Sequence, residues 1–260
     1  MNNYKTIVVA NSGSVRTITL YRPERRNAMT PEMQRELLAA FEDAALSDSS
    51  LLVLTGAGDA FCSGLDLAAL DGTHEQSLIE HRADAEQIAR LFLALFELPL
   101  PTIAAVHGPA IAGGAGLATI CDFTLATPEA KFGFTEVRIG FVPAVVSAFL
   151  ALQIGYKQSM DLLLTGRVID AKEAHRLGLV NEIVPHDQLA ERVKALADTL
   201  LANSPQALSA TKRLIAAQHK EWLSAAIVAA IEASASARMT PDFREGVAAF
   251  LEKRKPSWTK

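Results

Sequence analysis

The run from Leu98 to Cys121 carries no formal charge, and neither does the run from Ile139 to Tyr156. A chain with two such runs must either place them in a membrane or close a core around them. A spanning helix needs about 20 predominantly apolar residues. The first run is broken by Pro99, Pro101, Gly108, Pro109, Gly113, Gly114 and Gly116, with His107 inside it. The second is broken by Gly140, Pro143, Ser147, Gln153 and Gly155. Both therefore read as buried strand, turn and helix. The leading Met-Asn-Asn-Tyr-Lys has no apolar signal region, so a soluble cytoplasmic protein with no membrane partner is expected. Of the 260 residues, 50% are hydrophobic but only 6% aromatic, and 44 are alanine, so the core is built from small side chains. Charged residues at 21% with a net charge of −4 exclude general disorder and give no basic footprint for nucleic acid. Two cysteines exclude a disulfide scaffold.

The pattern between the punctuating residues alternates strand and helix. Residues 5–10 and 15–20 are β-rich and flank Asn11-Ser12-Gly13-Ser14, which predicts a hairpin. Thr30-Pro31-Glu32 is a helix start, and Met33, Leu37, Phe41 and Ala44 recur behind it at helical spacing. Leu51 to Thr55, Thr102 to Val106 and Asp122 to Ala126 are short apolar runs of the buried-strand kind. Helices are expected near 76–97 and 113–120. Strands alternating with helices imply an α/β sheet with crossover connections. Three more helix starts follow at Asp187, Ser204-Pro205 and Thr240-Pro241. Leu189, Val193, Leu196 and Leu200 make one apolar stripe; Phe243, Val247, Phe250 and Leu251 make another. Residues 221–238 read as an Ala-rich helix. The expected division is an α/β core over 1–185 and a helical region over 186–260, packed on its own core or on a neighbouring subunit.

Several chemical signatures are absent. Gly56-Ala57-Gly58 lacks the third glycine of a dinucleotide fingerprint, and there is no phosphate loop or nucleophile elbow. His74-Glu75 has no second histidine at zinc-protease spacing, and six scattered histidines with two distant cysteines make no metal set. Two segments stand out instead, Gly56 to Leu70 and His107 to Asp122. In each a strand ends, glycines follow and a helix begins. Helix N-termini expose unpaired N–H groups at the positive end of the dipole. Two such ends facing each other would make an oxyanion cradle from backbone alone. Tight helix–sheet packing demands glycine equally, and spacing does not choose between the two.

Taken in order along the chain, these segments resemble the crotonase family, also called the enoyl-CoA hydratase/isomerase superfamily. Arg22-Pro-Glu-Arg-Arg-Asn-Ala-Met29 is similar to the family's early CoA-contacting segment, and Phe61-Cys-Ser-Gly-Leu-Asp-Leu67 to its first oxyanion motif. Gly108-Pro-Ala-Ile-Ala-Gly-Gly114 resembles the second oxyanion motif, and Lys131 to Val137, running on to Pro143, the catalytic-glutamate segment. Leu164-Thr-Gly166 with Ala171 to Val180 looks like its αβ junction, and Phe250 to Arg254 like its C-terminal helix. The resemblance implies a spiral of ββα units followed by a helical trimerisation region, hence a homotrimer or hexamer. It implies an enzyme acting on acyl-CoA thioesters, with no metal and no cofactor other than the CoA of the substrate. The thioester oxygen would sit between the N–H groups of Leu65 and Gly113, where one such donor is typically worth ~3–4 kcal/mol. Glu136 would be the catalytic residue. Arg26, Ala28, Ser63, Asp66, Leu67, Gly114, Gly116 and Lys253 would contact substrate or CoA.

The sequence departs from the common hydratase pattern at one position. That pattern has a second glutamate three residues after the glycine of the second oxyanion motif, and Gly116 stands there. One glutamate suits proton shuttling between C2 and C4, which is double-bond isomerisation, but does not exclude hydration of a 2-enoyl-CoA. The expected activity is reversible hydration. The alternatives are a Δ3,Δ2-enoyl-CoA isomerase and a non-catalytic acyl-CoA-binding protein. Gly113 to Gly116, Thr135-Glu136 and Pro143 to Ser147 also look like bacterial hydratases of methylglutaconyl-CoA, a branched substrate whose distal carboxylate Arg138 could meet. Asp66 reads as a helix cap that could instead polarise water. His107 reads as structural, and Cys62 and Cys121 as packing residues. Lys253 and Lys255 read equally as CoA-phosphate contacts or as a solvated helix end. His74, Glu75 and His81 fall in a polar stretch over the acyl pocket with no assigned role.

Overall fold

β1 (Ile7–Ser12) and β2 (Val15–Leu20) form the expected hairpin, with Ser12 opposite Val15 and Gly13 at φ +58° in the turn. The structure is a computed structural model that describes residues 4–70 and 76–258; His74 and Glu75 lie outside the described residues. α1 (Pro31–Leu46) starts where Thr30 accepts the Met33 N–H at 3.2 Å, with Pro31 at a position that needs no donor. β3 (Leu51–Gly56), β4 (Thr102–Val106), β6 (Phe123–Ala126) and β9 (Glu182–Ile183) extend the sheet in the order β1-β2-β3-β4-β6-β9, parallel from β2 onward. α2 (Leu78–Phe96) crosses from β3 to β4 behind a Ser77/Glu80 capping box. α3 (Gly113–Ile120) crosses from β4 to β6.

Alternation along the central strands explains why the charge-free runs are buried on both faces. Leu52, Leu54, Ala104 and Val106 point to a core that includes Met33, Leu37 and Phe41 of α1 and Phe92 and Leu95 of α2. Leu51, Val53, Ile103, Ala105 and Leu125 point to the other face, which α6 (Leu189–Leu201) covers with its Leu189, Val193, Leu196 and Leu200 stripe. β5 (Pro109–Ile111), β7 (Lys131–Gly133) and β8 (Val168–Asp170) make a small second sheet. α4 (Ala144–Thr165) and α5 (Ala171–Leu177) follow, the former interrupted by Gly155 in a non-helical conformation.

The helices after residue 185 close around this core. α7 (Pro205–Gln218) is pinned by Lys212, whose ammonium donates to the Leu100 carbonyl and to Asp122. α8 (Lys220–Arg238) packs along α2 and α4, and α9 (Pro241–Leu251) packs on the segment that carries Glu136. Ser204 and Thr240 cap α7 and α9 as expected. Asp187 does not cap α6: it sits inside the 3-10 turn His186–Gln188, and the helix begins only at Leu189. Among the described residues no helix is long and apolar enough to cross a membrane.

Candidate active site

Two strand ends converge on a cavity of about 540 Å³. The first is the loop after β3. Met29 forms an isolated parallel bridge with Leu65, in which the Met29 N–H donates to Gly64 O at 2.7 Å and the Asp66 N–H to Met29 O at 3.0 Å. Bridge bonds of this kind engage the neighbours of Leu65 and leave its own N–H on the opposite side, where Leu65 lines the cavity. The second is the start of α3. Ala112 holds φ +52° and ψ −125°, a strained conformation for a residue with a side chain. Its N–H donates to Gly133 O at 2.6 Å and its carbonyl accepts from Gly116 at 3.1 Å. Gly113 is then the first helical residue, whose N–H has no intrahelical acceptor. The two segments touch: a Cβ built on Gly64 would lie 2.9 Å from Ala112 Cβ and 3.7 Å from Gly113 N. Leu65 and Gly113 are therefore brought to one wall of the cavity.

Glu136 begins a 3-10 turn, Glu136–Ile139, and lines the same cavity at 8% exposure. Its Oε2 is buried and has no hydrogen-bond partner among the described residues. Burial pushes the carboxyl up to about 7, opposed only by its own backbone N–H. A carboxyl held there is half ionised at neutral pH and can both take and return a proton.

The remaining expected residues divide. Arg26, Ala28, Ser63, Asp66 and Leu67 line the cavity. Asp66 accepts the Ala68 N–H at 3.2 Å and pairs with Arg22 at 2.9 Å, so it caps the short turn Leu67–Ala69 while facing the site. Gly114 and Gly116 are buried in α3 and do not line the cavity. A Cβ on Gly114 would strike the Cys62 carbonyl, so its role here is close helix–loop packing. A Cβ on Gly116 would stand 2.5 Å from Phe92 Cε1 and 2.6 Å from Val146 Cγ1. Those two apolar side chains therefore crowd the position where the common pattern has a glutamate. Lys253 and Lys255 are exposed and outside the cavity wall. Arg138 is exposed beside Gly166 and also lies outside the wall. His107 donates its Nε2–H to Gly58 O at 2.8 Å, a structural contact. His81 is buried on α2 with both ring nitrogens unpartnered among the described residues and is not in the cavity wall. Cys62 and Cys121 are buried thiols pushed up to about 12, hence protonated packing groups.

Sequence reasoning missed Asn27. It is fully buried at φ +55°, and its Nδ2 faces the carbonyls of Ala57 and Ala60 at 2.8 Å and Phe61 at 3.2 Å. Its Oδ1 accepts the Arg22 N–H at 2.9 Å. One amide thus ties the segment carrying Met29 to the loop carrying Leu65. Asn27→Ala leaves buried carbonyls unpaired, so a stability loss of about 3 kcal/mol or more is expected in denaturant unfolding. A loss below about 0.5 kcal/mol would show that water replaces the amide without penalty.

Fold and site together define an α/β protein in which the Leu65 loop, the Gly113 helix start and a buried carboxyl, Glu136, share the wall of one largely apolar cavity. The enoyl-CoA hydratase/isomerase family model matches residues 10–260. An inferred enoyl-CoA hydratase of Thermus thermophilus is 44% identical over 251 residues, covering 96% of this chain and 99% of that one. The Mycobacterium tuberculosis enoyl-CoA hydratase EchA19 is 36% identical, over 96% of this chain and 95% of its own. Among solved structures, an enoyl-CoA hydratase/isomerase from Xanthobacter autotrophicus Py2 superposes with a TM-score of 0.89 at 31% identity, over 97% and 98% of the two chains. The chain belongs to the enoyl-CoA hydratase/isomerase family and has its fold; it is an enzyme of that family.

Proposed function

We propose that the enzyme adds water reversibly across the C2=C3 bond of a 2-enoyl-CoA, using Glu136 as its one carboxylate. The carrying observation is the buried, unpartnered Glu136 Oε2 in the wall that also presents Leu65 and Gly113. The thioester oxygen accepts from the two N–H groups, which favours the enolate form. Glu136 removes a proton from water as its oxygen bonds to C3, and the same carboxyl returns a proton to C2. Arg26, Ala28, Ser63, Asp66 and Leu67 surround the CoA arm. Gly114 and Gly116 act through the shape of α3, and Lys253 is available to CoA phosphates only from outside the wall. No cofactor beyond the CoA of the substrate is needed. Beyond Glu136 the wall is Phe92, Ile139, Phe141, Val142, Val145 and Val146, which suits an apolar acyl chain more than one ending in a carboxylate. Exposed Leu214, Ile215, Trp222 and Val228 on α7 and α8 support the expected homotrimer or hexamer.

Gly116 favours a second reading, isomerisation of 3-enoyl-CoA by the lone carboxyl. Crotonyl-CoA, a 3-enoyl-CoA and 3-methylglutaconyl-CoA assayed side by side separate the readings. The expected result is 3-hydroxybutanoyl-CoA from crotonyl-CoA as the fastest reaction. Turnover of the 3-enoyl-CoA alone would replace hydration by isomerisation. Turnover of none, with acyl-CoA binding retained, would make this a binding protein.

A further inference from the structure

The turn that carries Glu136 is fixed to α9 backbone to backbone. Gly246 of α9 lies against Ile139, and a Cβ there would run into the Ile139 carbonyl. Gly140, which ends the turn at φ +64°, lies as closely against the Asp242 carbonyl. Phe141 donates its N–H to the Glu136 carbonyl at 3.1 Å, and its ring packs on Phe243 with centroids 5.0 Å apart. The buried Arg238 guanidinium, paired with Asp84 at 3.0 Å, stands 5.8 Å from the Phe141 ring centroid. Ile139 and Phe141 line the cavity, as do Phe250 and Leu251 at the far end of the same helix. A helix that only covered apolar surface would need no glycine facing a carbonyl. Contact between two backbones has no side-chain slack, so a shift of α9 passes directly to the turn.

We propose that α9 is the positioning element of Glu136: Gly246 and Phe243 set where the carboxylate sits and keep bulk solvent, though not the reacting water, from it. This rests on the reading of Glu136 as the proton-transferring group. The charged groups on the surrounding elements include Glu24, Arg25, Arg26 and Asp66 in the cavity wall, Arg138 on the turn, Asp84 on α2, Arg238 on α8, and Asp242, Arg244 and Glu245 on α9. None of them contributes to the shift of Glu136, which comes from burial. Loosening α9 therefore moves the acidic limb of activity to lower pH.

The test uses the full chain with Gly246→Ala and Phe243→Leu. In Gly246→Ala, kcat for crotonyl-CoA is expected to fall about 100-fold, as misplacement by about an ångström does. The acidic limb of kcat moves down by about one pH unit, while binding of butanoyl-CoA, a saturated and unreactive analogue, is retained. Phe243→Leu shows the same limb shift with about a tenfold fall in kcat, and decides alone if Gly246→Ala does not fold. A folded variant whose limb does not move, whether or not kcat falls, overturns the proposal. Glu136→Gln separates the two levels. Full activity in that variant overturns the reading of Glu136 and this inference with it. An inactive Glu136→Gln beside unaltered α9 variants overturns this inference alone.

Discussion

Glu136→Gln is expected to lower kcat for crotonyl-CoA by about 10²–10⁴-fold and, at the same time, to raise the melting temperature above neutral pH. Both effects come from one fact, the burial of an unpartnered carboxyl. As a base Glu136 must be ionised, and its folded-state value of about 7 makes activity fall as pH drops through neutrality. Stability runs the other way. The folded value lies above the ordinary 4.5, so the native state holds this proton more tightly than the unfolded chain does. The stabilisation is therefore full below about pH 4.5 and is lost as pH rises to about 7, a swing of about 3 kcal/mol. Glutamine keeps the shape but cannot ionise. Part of the gain is offset by burying its amide without partners, leaving about 1–2 kcal/mol at pH 8. Thermal melts of both proteins from pH 5 to pH 8 give the check: the variant's advantage should grow with pH. A constant difference across that range would mean that Glu136 is solvated, and undiminished kcat would mean that another group moves the proton.

The fold was legible where one face of an element is apolar, because periodicity reports that directly. Leu51 to Leu54 and Thr102 to Val106 were readable as strands buried on both faces, and Thr30, Ser204 and Thr240 as caps, since each acts within four residues of itself. β5, β7 and β8 were not, because three residues carry no period. Asp187 misled because the local signal of a cap is the same whether a helix or a 3-10 turn follows. The glycine-rich ends at Leu65 and Gly113 were visible, but spacing alone left tight packing as likely a use as an oxyanion cradle, and the ordered resemblance to a family tipped the reading. Asn27 was invisible for a different reason: its carbonyl partners lie 30, 33 and 34 residues away. The α9 stripe is buried only in part, with Phe243 and Val247 inside and Phe250 and Leu251 exposed, and the sequence did not show what covers it. Phe243 and Val247 pack with Phe141, which follows the Glu136 turn, in the same chain.

Gly116→Glu is the second substitution with a large expected effect, and the direction reverses the expectation from motif comparison. Read as a missing acid, position 116 invites a glutamate and faster hydration. In the folded chain α3 is buried from Gly114 to Ile120, and a Cβ at 116 already meets Phe92 and Val146 inside contact distance. Phe92 cannot simply swing away, since its ring packs near Phe149 at 6.3 Å between centroids. The substitution adds overpacking, about 1–3 kcal/mol, to the larger penalty of a carboxylate with no partner. A fall in melting temperature of about 10 °C or more is expected, with no gain in hydration. Phe92→Ala in the same chain removes the ring that stands nearest, so the double variant should lose less stability than the two single variants summed, a coupling that independent sites do not show. Only in that background does the hydration rate report on the second carboxylate. If the single Gly116→Glu variant were as stable as the parent and faster, the cavity wall would be softer than its packing implies, and glycine at 116 would after all be a vacancy in the acid–base pair rather than one half of a packed pair with Phe92.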